Sequence, residues 1–188
     1  MDLKYENYFV LENKKKVKRI YQDSFNKAER FPFWLLKKCA RENNVEFNVI
    51  LENSNIIGIE YVVKYDNIAY LMYLAIDENK RNKGYGSKVL SDLSKKYKNI
   101  ILSIERADNN IQNEKLQRKE FYLQNGFYPT DNYIYDGGVE YEVLTNNENY
   151  NITKDVLEKR YTKMTNSRII KFIISKMFNV NDIDIKNN

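Results

Sequence analysis

Just after an apolar run that ends at Asp77, the chain reads Arg81-Asn82-Lys83-Gly84-Tyr85-Gly86-Ser87. From Gly84 to Tyr97 apolar side chains recur at helical spacing, with Tyr85, Val89, Leu90, Leu93 and Tyr97 on one face. A turn that opens such a helix presents backbone N–H groups without intrahelical acceptors, at the end where aligned peptide dipoles favour negative charge. Gly84 and Gly86 carry no side chain to keep a phosphate from those amides, and Arg81, Lys83 and Lys88 add full positive charges. The chemistry these residue types suit is pyrophosphate binding. Two other phosphate loops fit poorly. Gly-x-x-x-x-Gly-Lys-Ser/Thr is absent, and a Gly-x-Gly-x-x-Gly loop would need glycine where Val89 stands.

What the sequence lacks narrows the chemistry further. Its 188 residues contain no histidine and one cysteine, Cys39. Ser-His-Asp and Cys-His nucleophile systems are therefore excluded, as are imidazole and thiolate metal centres, and no metal is expected. Cys39 sits in WLLKKCARE with no histidine to activate it, which suits a small buried apolar residue. Catalysis would have to run on carboxylates, tyrosines, backbone amides and a bound cofactor.

The segment from Arg81 to Gly86 resembles the Arg/Gln-x-x-Gly-x-Gly/Ala signature of the GNAT superfamily of acetyl-CoA-dependent N-acetyltransferases. It lies where that family places it, between the fourth strand and the following helix. A second segment, RKEFYLQNGF from Arg118 to Phe127, resembles the family's FYxxxGF stretch. The resemblance spans about Tyr8 to Leu144. It implies that the amides of Arg81, Asn82, Lys83, Gly84, Tyr85, Gly86 and Ser87 bind the pyrophosphate of acetyl-CoA, with Arg81 and Lys83 as auxiliary charges. It further implies that the backbone of Leu74, Ala75 and Ile76 pairs with the pantetheine arm in a gap between two splayed strands.

By the same resemblance, Tyr122 is the general acid that protonates the coenzyme A thiolate, while an N–H near Ile76 polarises the thioester carbonyl; packing beside Phe121 and Phe127 is the other role open to Tyr122. The amine needs a base, since an alkylammonium has a pKa near 10. Glu105, ending the strand ILSIE beside the expected gap, is the first candidate and Glu60 the second; either could instead be a solvated or ion-paired strand residue. The family form NxxAxxxY is not kept, because Lys115 and Arg118 occupy the Asn and small-residue places. Asn113 is close enough to replace the missing asparagine on the pantetheine arm.

Around these residues the pattern predicts a first strand, Tyr8 to Leu11, then helices from Lys14 to Ala28 and through Trp34 to Ala40. Three strands follow, EFNVILEN, NIIGIEYVVKY and NIAYLMYLAID, with turn residues between them. Next come the helix after the glycine loop, the strand NIILSIE and a helix from Asn113 to Gln124. Strands from Phe127 to Tyr135 and Val139 to Leu144 flank a hairpin at Asp136-Gly137-Gly138. The order β-α-α-β-β-β-α-β-α-β-β is an α/β (α+β) fold, which the resemblance makes a GNAT-like mixed, mostly antiparallel sheet with flanking helices.

Residues 1–145 are expected to form the acetyltransferase domain and 146–188 a C-terminal helical extension. In that extension Ile169, Ile170, Ile173, Ile174, Met177 and Phe178 make an apolar stripe suited to docking on the parent domain or on a twin subunit, so a homodimer is open. The net charge of +5 is dispersed over many lysines, and no recognition-helix motif accompanies it; a nucleic-acid partner is not expected. No run is long enough to span a membrane, and the opening residues lack a signal-peptide layout, which gives a cytoplasmic expectation. The expected function is acetyl transfer to a primary amine of a small molecule or peptide. The competing reading is a catalytically silent domain that binds acyl-CoA as a sensor or scaffold.

Overall fold

The computed structural model describes residues 2–27, 29–108, 111, 113–136 and 138–177, and the backbone alone of 183–185. Strands β1 (Lys4–Asn7), β2 (Val45–Glu52), β3 (Asn55–Tyr65), β4 (Ile68–Ile76), β5 (Asn99–Glu105), β6 (Tyr128–Asp136), β7 (Val139–Thr145) and β8 (Ile183–Ile185) form one sheet. Its order is β1-β2-β3-β4-β5-β7-β6-β8, and every neighbouring pair is antiparallel except β4 with β5. The helices are α1 (Lys15–Ser24), α2 (Phe33–Cys39), α3 (Tyr85–Lys96), α4 (Glu114–Gln124), α5 (Lys154–Thr162) and α6 (Arg168–Met177).

Alternation along the strands divides the core in two. One face of the sheet packs Val17, Ile20, Leu35, Leu157 and Ile170 from α1, α2, α5 and α6. The other packs Tyr85, Val89, Leu90 and Tyr122 from α3 and α4. A register shift between Tyr61 and Val62 keeps this division intact: Tyr61 pairs with Tyr73 and Val62 with Leu71, so Met72 is an extra residue in β4. One added residue inverts the facing of everything beyond it. Tyr73 and Ala75 consequently join Tyr70 on the α1 face, while Leu74 and Ile76 turn towards α3.

The expected order of elements holds, with β8 added after the tail helices. The first strand, however, lies earlier than Tyr8 to Leu11. Lys4–Asn7 pairs with β2, whereas Tyr8–Val10 is a short 3-10 turn capped by the Asn7 side chain, which accepts from Phe9 N–H. Tyr8 leaves the sheet because its ring stacks on Phe47, centroids 4.7 Å apart, inside the core that α1 must reach. Helix α1 stops at Ser24, short of the expected Ala28, because Phe25 turns extended and places its ring edge-on to Tyr73. Ala28 lies outside the described residues.

Asn113 caps α4, its side-chain oxygen accepting from the N–H groups of Lys115 and Leu116. Gly126, at φ +78°, ends the helix in a left-handed turn in which Phe127 N–H bonds back to Tyr122 O. The β6–β7 hairpin closes with Asp136 opposite Val139; Gly137 of the expected turn lies outside the described residues.

The expected helical tail forms as two helices. Glu42 receives Thr165 Oγ1 and the backbone and side-chain N–H groups of Asn166 at the break between them. The stripe expected on α6 is only half realised. Ile170, Ile173 and Ile174 pack on the core, but Ile169 is exposed and Met177 partly so, because a helix rotates about 100° per residue and position 169 falls on the outer side. Phe178 lies outside the described residues.

Candidate active site

Parallel strands β4 and β5 are hydrogen-bond neighbours only at Ile68–Asn99, Ala69–Ile100 and Tyr70–Ile101. Beyond these pairs, β4 continues to Ile76 and β5 to Glu105 without pairing to each other, so a gap opens in the middle of the sheet. Along that gap Leu74, Ala75 and Ile76 remain held by β3, opposite Glu60, Ile59 and Gly58. Their strand is thus supported on one side and open on the other, the condition for accepting an extended ligand as an added strand.

The glycine loop stands at the end of this strand. Asn82 and Gly84 both have positive φ, +59° and +79°, and Gly84 is the N-cap of α3 without a side-chain acceptor of its own. Backbone that alternates through the left-handed region turns successive N–H groups into a concavity suited to an anion, and the first turn of α3 continues it. Gly84 is required there by its φ. Gly86 has a different reason from the one its sequence position suggested, since a Cβ on it would lie 2.9 Å from Phe121 Cζ.

The three cations divide. Arg81 folds back, with Nε donating to Ile76 O at 3.2 Å and Nη2 to Ser24 Oγ at 3.3 Å, and so ties the loop to β4 and α1. Lys88 is paired with Asp92 one turn along α3. Among the described residues Lys83 has no ion pair and stands exposed.

Tyr122 lies on the α3–α4 side of the sheet, 9% exposed, its ring edge-on to Phe121 and Phe127 at 5.2 and 5.7 Å. Among the described residues its hydroxyl has no hydrogen-bond partner. Burial pushes its pKa up to about 12 against a small opposing pull from Arg118, so it is a neutral phenol at physiological pH. Glu105 ends β5 with 13% side-chain exposure, 3.6 Å from Lys115 Nζ and opposite Tyr141 of β7.

Glu60 is elsewhere. It lies buried on β3 beneath α3, where it accepts from Asn48 Nδ2 at 3.0 Å, and burial raises its pKa despite that bond. Asn113 has its side-chain oxygen committed to the α4 cap, which leaves only its amide N–H groups for a ligand.

Residues 43–129 match the model of the acetyltransferase (GNAT) domain, a span that holds the glycine loop, the open edge of β4 and Tyr122. That span is thereby a GNAT-type domain. Solved structures agree on the fold. A GNAT-family protein from Bacteroides thetaiotaomicron is 21% identical over 94% of this chain and 97% of its own, with a TM-score of 0.66. An aminoglycoside 6'-N-acetyltransferase complexed with coenzyme A is 12% identical over 81% of this chain and 100% of its own, at 0.64. A GNAT acetyltransferase from Elizabethkingia anophelis with acetyl-CoA bound is 17% identical over 76% and 96%, at 0.55. No curated protein matches the chain.

The GNAT match leaves the α1–α2 loop, most of β6, β7 and α5 outside, and residues of these line the far side of the gap. A cavity of about 60 Å3 opens between Tyr70 and Met72 of β4 and Ser103 of β5 on the α1 face, closed by Glu29, Tyr141, Arg160 and Tyr161. Sequence reasoning missed all of these as site residues. The signal present was parity alone: Ser103 and Glu105 alternate with the apolar Leu102 and Ile104, which places them together on the α1 face. Tyr70 and Ser103 share a hydroxyl hydrogen bond of 2.6 Å across the start of the gap. Burial raises the pKa of Tyr70, Tyr73, Tyr141 and Tyr161, so the cavity is walled by neutral phenols.

Proposed function

We propose that this chain transfers the acetyl group of acetyl-CoA directly to a primary amine. The observation that carries the reading is the parting of β4 and β5 after three paired residues, with an anion-binding helix start at the end of β4 and a polar aromatic cavity across the sheet. Acetyl-CoA supplies an acetyl thioester. The N–H groups of Arg81, Asn82, Lys83, Gly84, Tyr85, Gly86 and Ser87 hold its pyrophosphate, and the open edge of Leu74, Ala75 and Ile76 holds its pantetheine arm, with Asn113 in reserve through its amide.

In the transfer, a C–N bond forms as the C–S bond breaks. Glu105 takes the amine proton through water, and Tyr122 gives its phenol proton to the departing sulfur. A backbone N–H near Ile76 stabilises charge on the carbonyl oxygen. Attack is direct: Cys39 is fully buried, its thiol pushed up to about 11 chiefly by burial, with no base to activate it. The acceptor is an amine of a small molecule or a peptide.

Calorimetric titration with acetyl-CoA, with NADH and ATP as controls, tests the cofactor; the expected result is selective binding in the micromolar range, and thiol release on adding amines then tests transfer. Absence of acetyl-CoA binding sinks the proposal. Binding without thiol release from any amine would favour an acyl-CoA sensor.

A further inference from the structure

We propose that the cavity on the α1 face selects a compact primary ammonium with no carboxylate beside it, and that Glu29 is the carboxylate that anchors it. This rests on the acetyltransferase reading, which makes the cavity the acceptor's approach to the gap.

The charge balance of the cavity decides the class. Among the described residues three charged side chains line it: Glu29, Asp136 and Arg160. Arg160 is 1% exposed and its Nη2 meets Asp136 Oδ2 at 3.4 Å, while Nη1 donates to Leu157 O and Tyr161 also donates its hydroxyl to Asp136. Asp136 and Arg160 thus cancel as a buried pair, which leaves the charge of Glu29. Its side chain is 8% exposed, with Oε2 accepting from Asn26 N–H at 3.1 Å. Arg118 Nη1 stands 3.9 Å from Oε1, beyond hydrogen-bond reach and partly in solvent. A small ammonium can therefore make the direct charged hydrogen bond that Arg118 does not, and the phenol walls add favourable cation–π attraction.

An amine carrying an α-carboxylate meets the opposite conditions. Its negative group would enter a cavity lined by two carboxylates, with a third, Glu105, opposite Tyr141; Arg160 is already paired with Asp136, and Arg118 stands at the rim, beside Glu29 and partly in solvent. The desolvation of that group would be offset only at the rim. The size of the cavity suits the aminomethyl end of an acceptor rather than its body, so selection acts on the atoms nearest the nitrogen.

The test compares n-pentylamine with norleucine, the same chain bearing an α-carboxylate, by calorimetry on the full chain, with and without coenzyme A. Pentylamine is expected to bind at least about tenfold more tightly, the equivalent of one charged hydrogen bond. Glu29→Gln is expected to weaken pentylamine about tenfold and Glu29→Asp less, with acetyl-CoA affinity and melting temperature unchanged in both. Norleucine binding as tightly as pentylamine, or pentylamine affinity untouched in Glu29→Gln, overturns the proposal. Amine binding is read without turnover. A protein that binds pentylamine as expected but neither binds acetyl-CoA nor releases thiol contradicts the acetyltransferase reading alone, while thiol release confined to carboxylate-bearing amines contradicts this one.

Discussion

The ring of Phe121 on α4 occupies the space that a side chain at Gly86 on α3 would need, with 2.9 Å between Phe121 Cζ and a Cβ built on the glycine. The glycine loop is therefore backed by the helix that carries Tyr122, and the two segments by which the family is recognised touch each other. Gly86→Ala is expected to cost about 1–3 kcal/mol by overpacking. It should also weaken acetyl-CoA binding by shifting the start of α3. Phe121→Leu should recover much of both losses in the double variant, measured by denaturant unfolding and calorimetry; additive losses would show that the two side chains do not compete for that space.

Tyr122→Phe removes one oxygen from a ring already packed between Phe121 and Phe127. Stability and acetyl-CoA affinity should change little, while turnover should fall roughly 10²-fold, the lower range for a lost general acid. Because burial holds Tyr122 near a pKa of about 12, its proton stays in place throughout the ordinary assay range. No decline in kcat from this group is expected below about pH 10, the usual tyrosine value. An unchanged kcat in the variant refutes the acid role, and a kcat that falls between neutral pH and that point must be assigned to another group.

The far end of α3 is tied to the sheet by Glu46, which meets Lys64 Nζ at 2.9 Å and Lys96 Nζ. Burial alone would raise the Glu46 pKa, but hydrogen bonds from Lys96 and Lys64 outweigh it and hold the carboxyl at about 2. A carboxyl with a depressed native pKa stabilises the fold above its unfolded value, near 4.3, and loses that contribution as pH falls towards the native value. Discounted for solvent screening, it is worth about 1–2 kcal/mol. Glu46→Gln should flatten the loss of stability across that acid window in urea unfolding; an identical slope would place the charge elsewhere.

Arg160 and Asp136 form a buried pair between α5 and the end of β6. Removing the guanidinium takes a buried countercharge from Asp136, so Arg160→Met is expected to destabilise by about 3–5 kcal/mol. Adding Asp136→Asn should restore part of that. Unfolding of both variants in urea checks the pairing, and a double variant no more stable than the single one would contradict it.

How far the sequence could be read depends on how local each signal was. Strands β2 to β5 and helices α3 and α4 announce themselves through periodicity and turn residues, and Gly84 through its missing side chain at a helix start, whereas its positive φ shows only in the fold. Asn82 gave no such warning of its own left-handed backbone. Tyr8 reads as a strand residue because its neighbours alternate, and only its long-range stacking on Phe47 takes it out of the sheet. Glu60 and Glu105 look alike as strand carboxylates. Their separation onto opposite faces is a matter of parity counted across a whole sheet, including the extra residue Met72. Glu29, Asp136 and Arg160 could not be read as one cavity, because only folding brings residues from the α1–α2 loop, β6 and α5 together.

The closure of the cavity by Arg160 and Tyr161 bears on the order of events during synthesis. A ribosome delivers β1 to β7, and with them the gap, the glycine loop and Tyr122, before α5 emerges. Domains begin to fold as they leave the tunnel. Until α5 emerges, the cavity lacks Arg160 and Tyr161 from its lining and the core lacks Leu157. The closing of the cavity and the completion of the core therefore wait on the same helix.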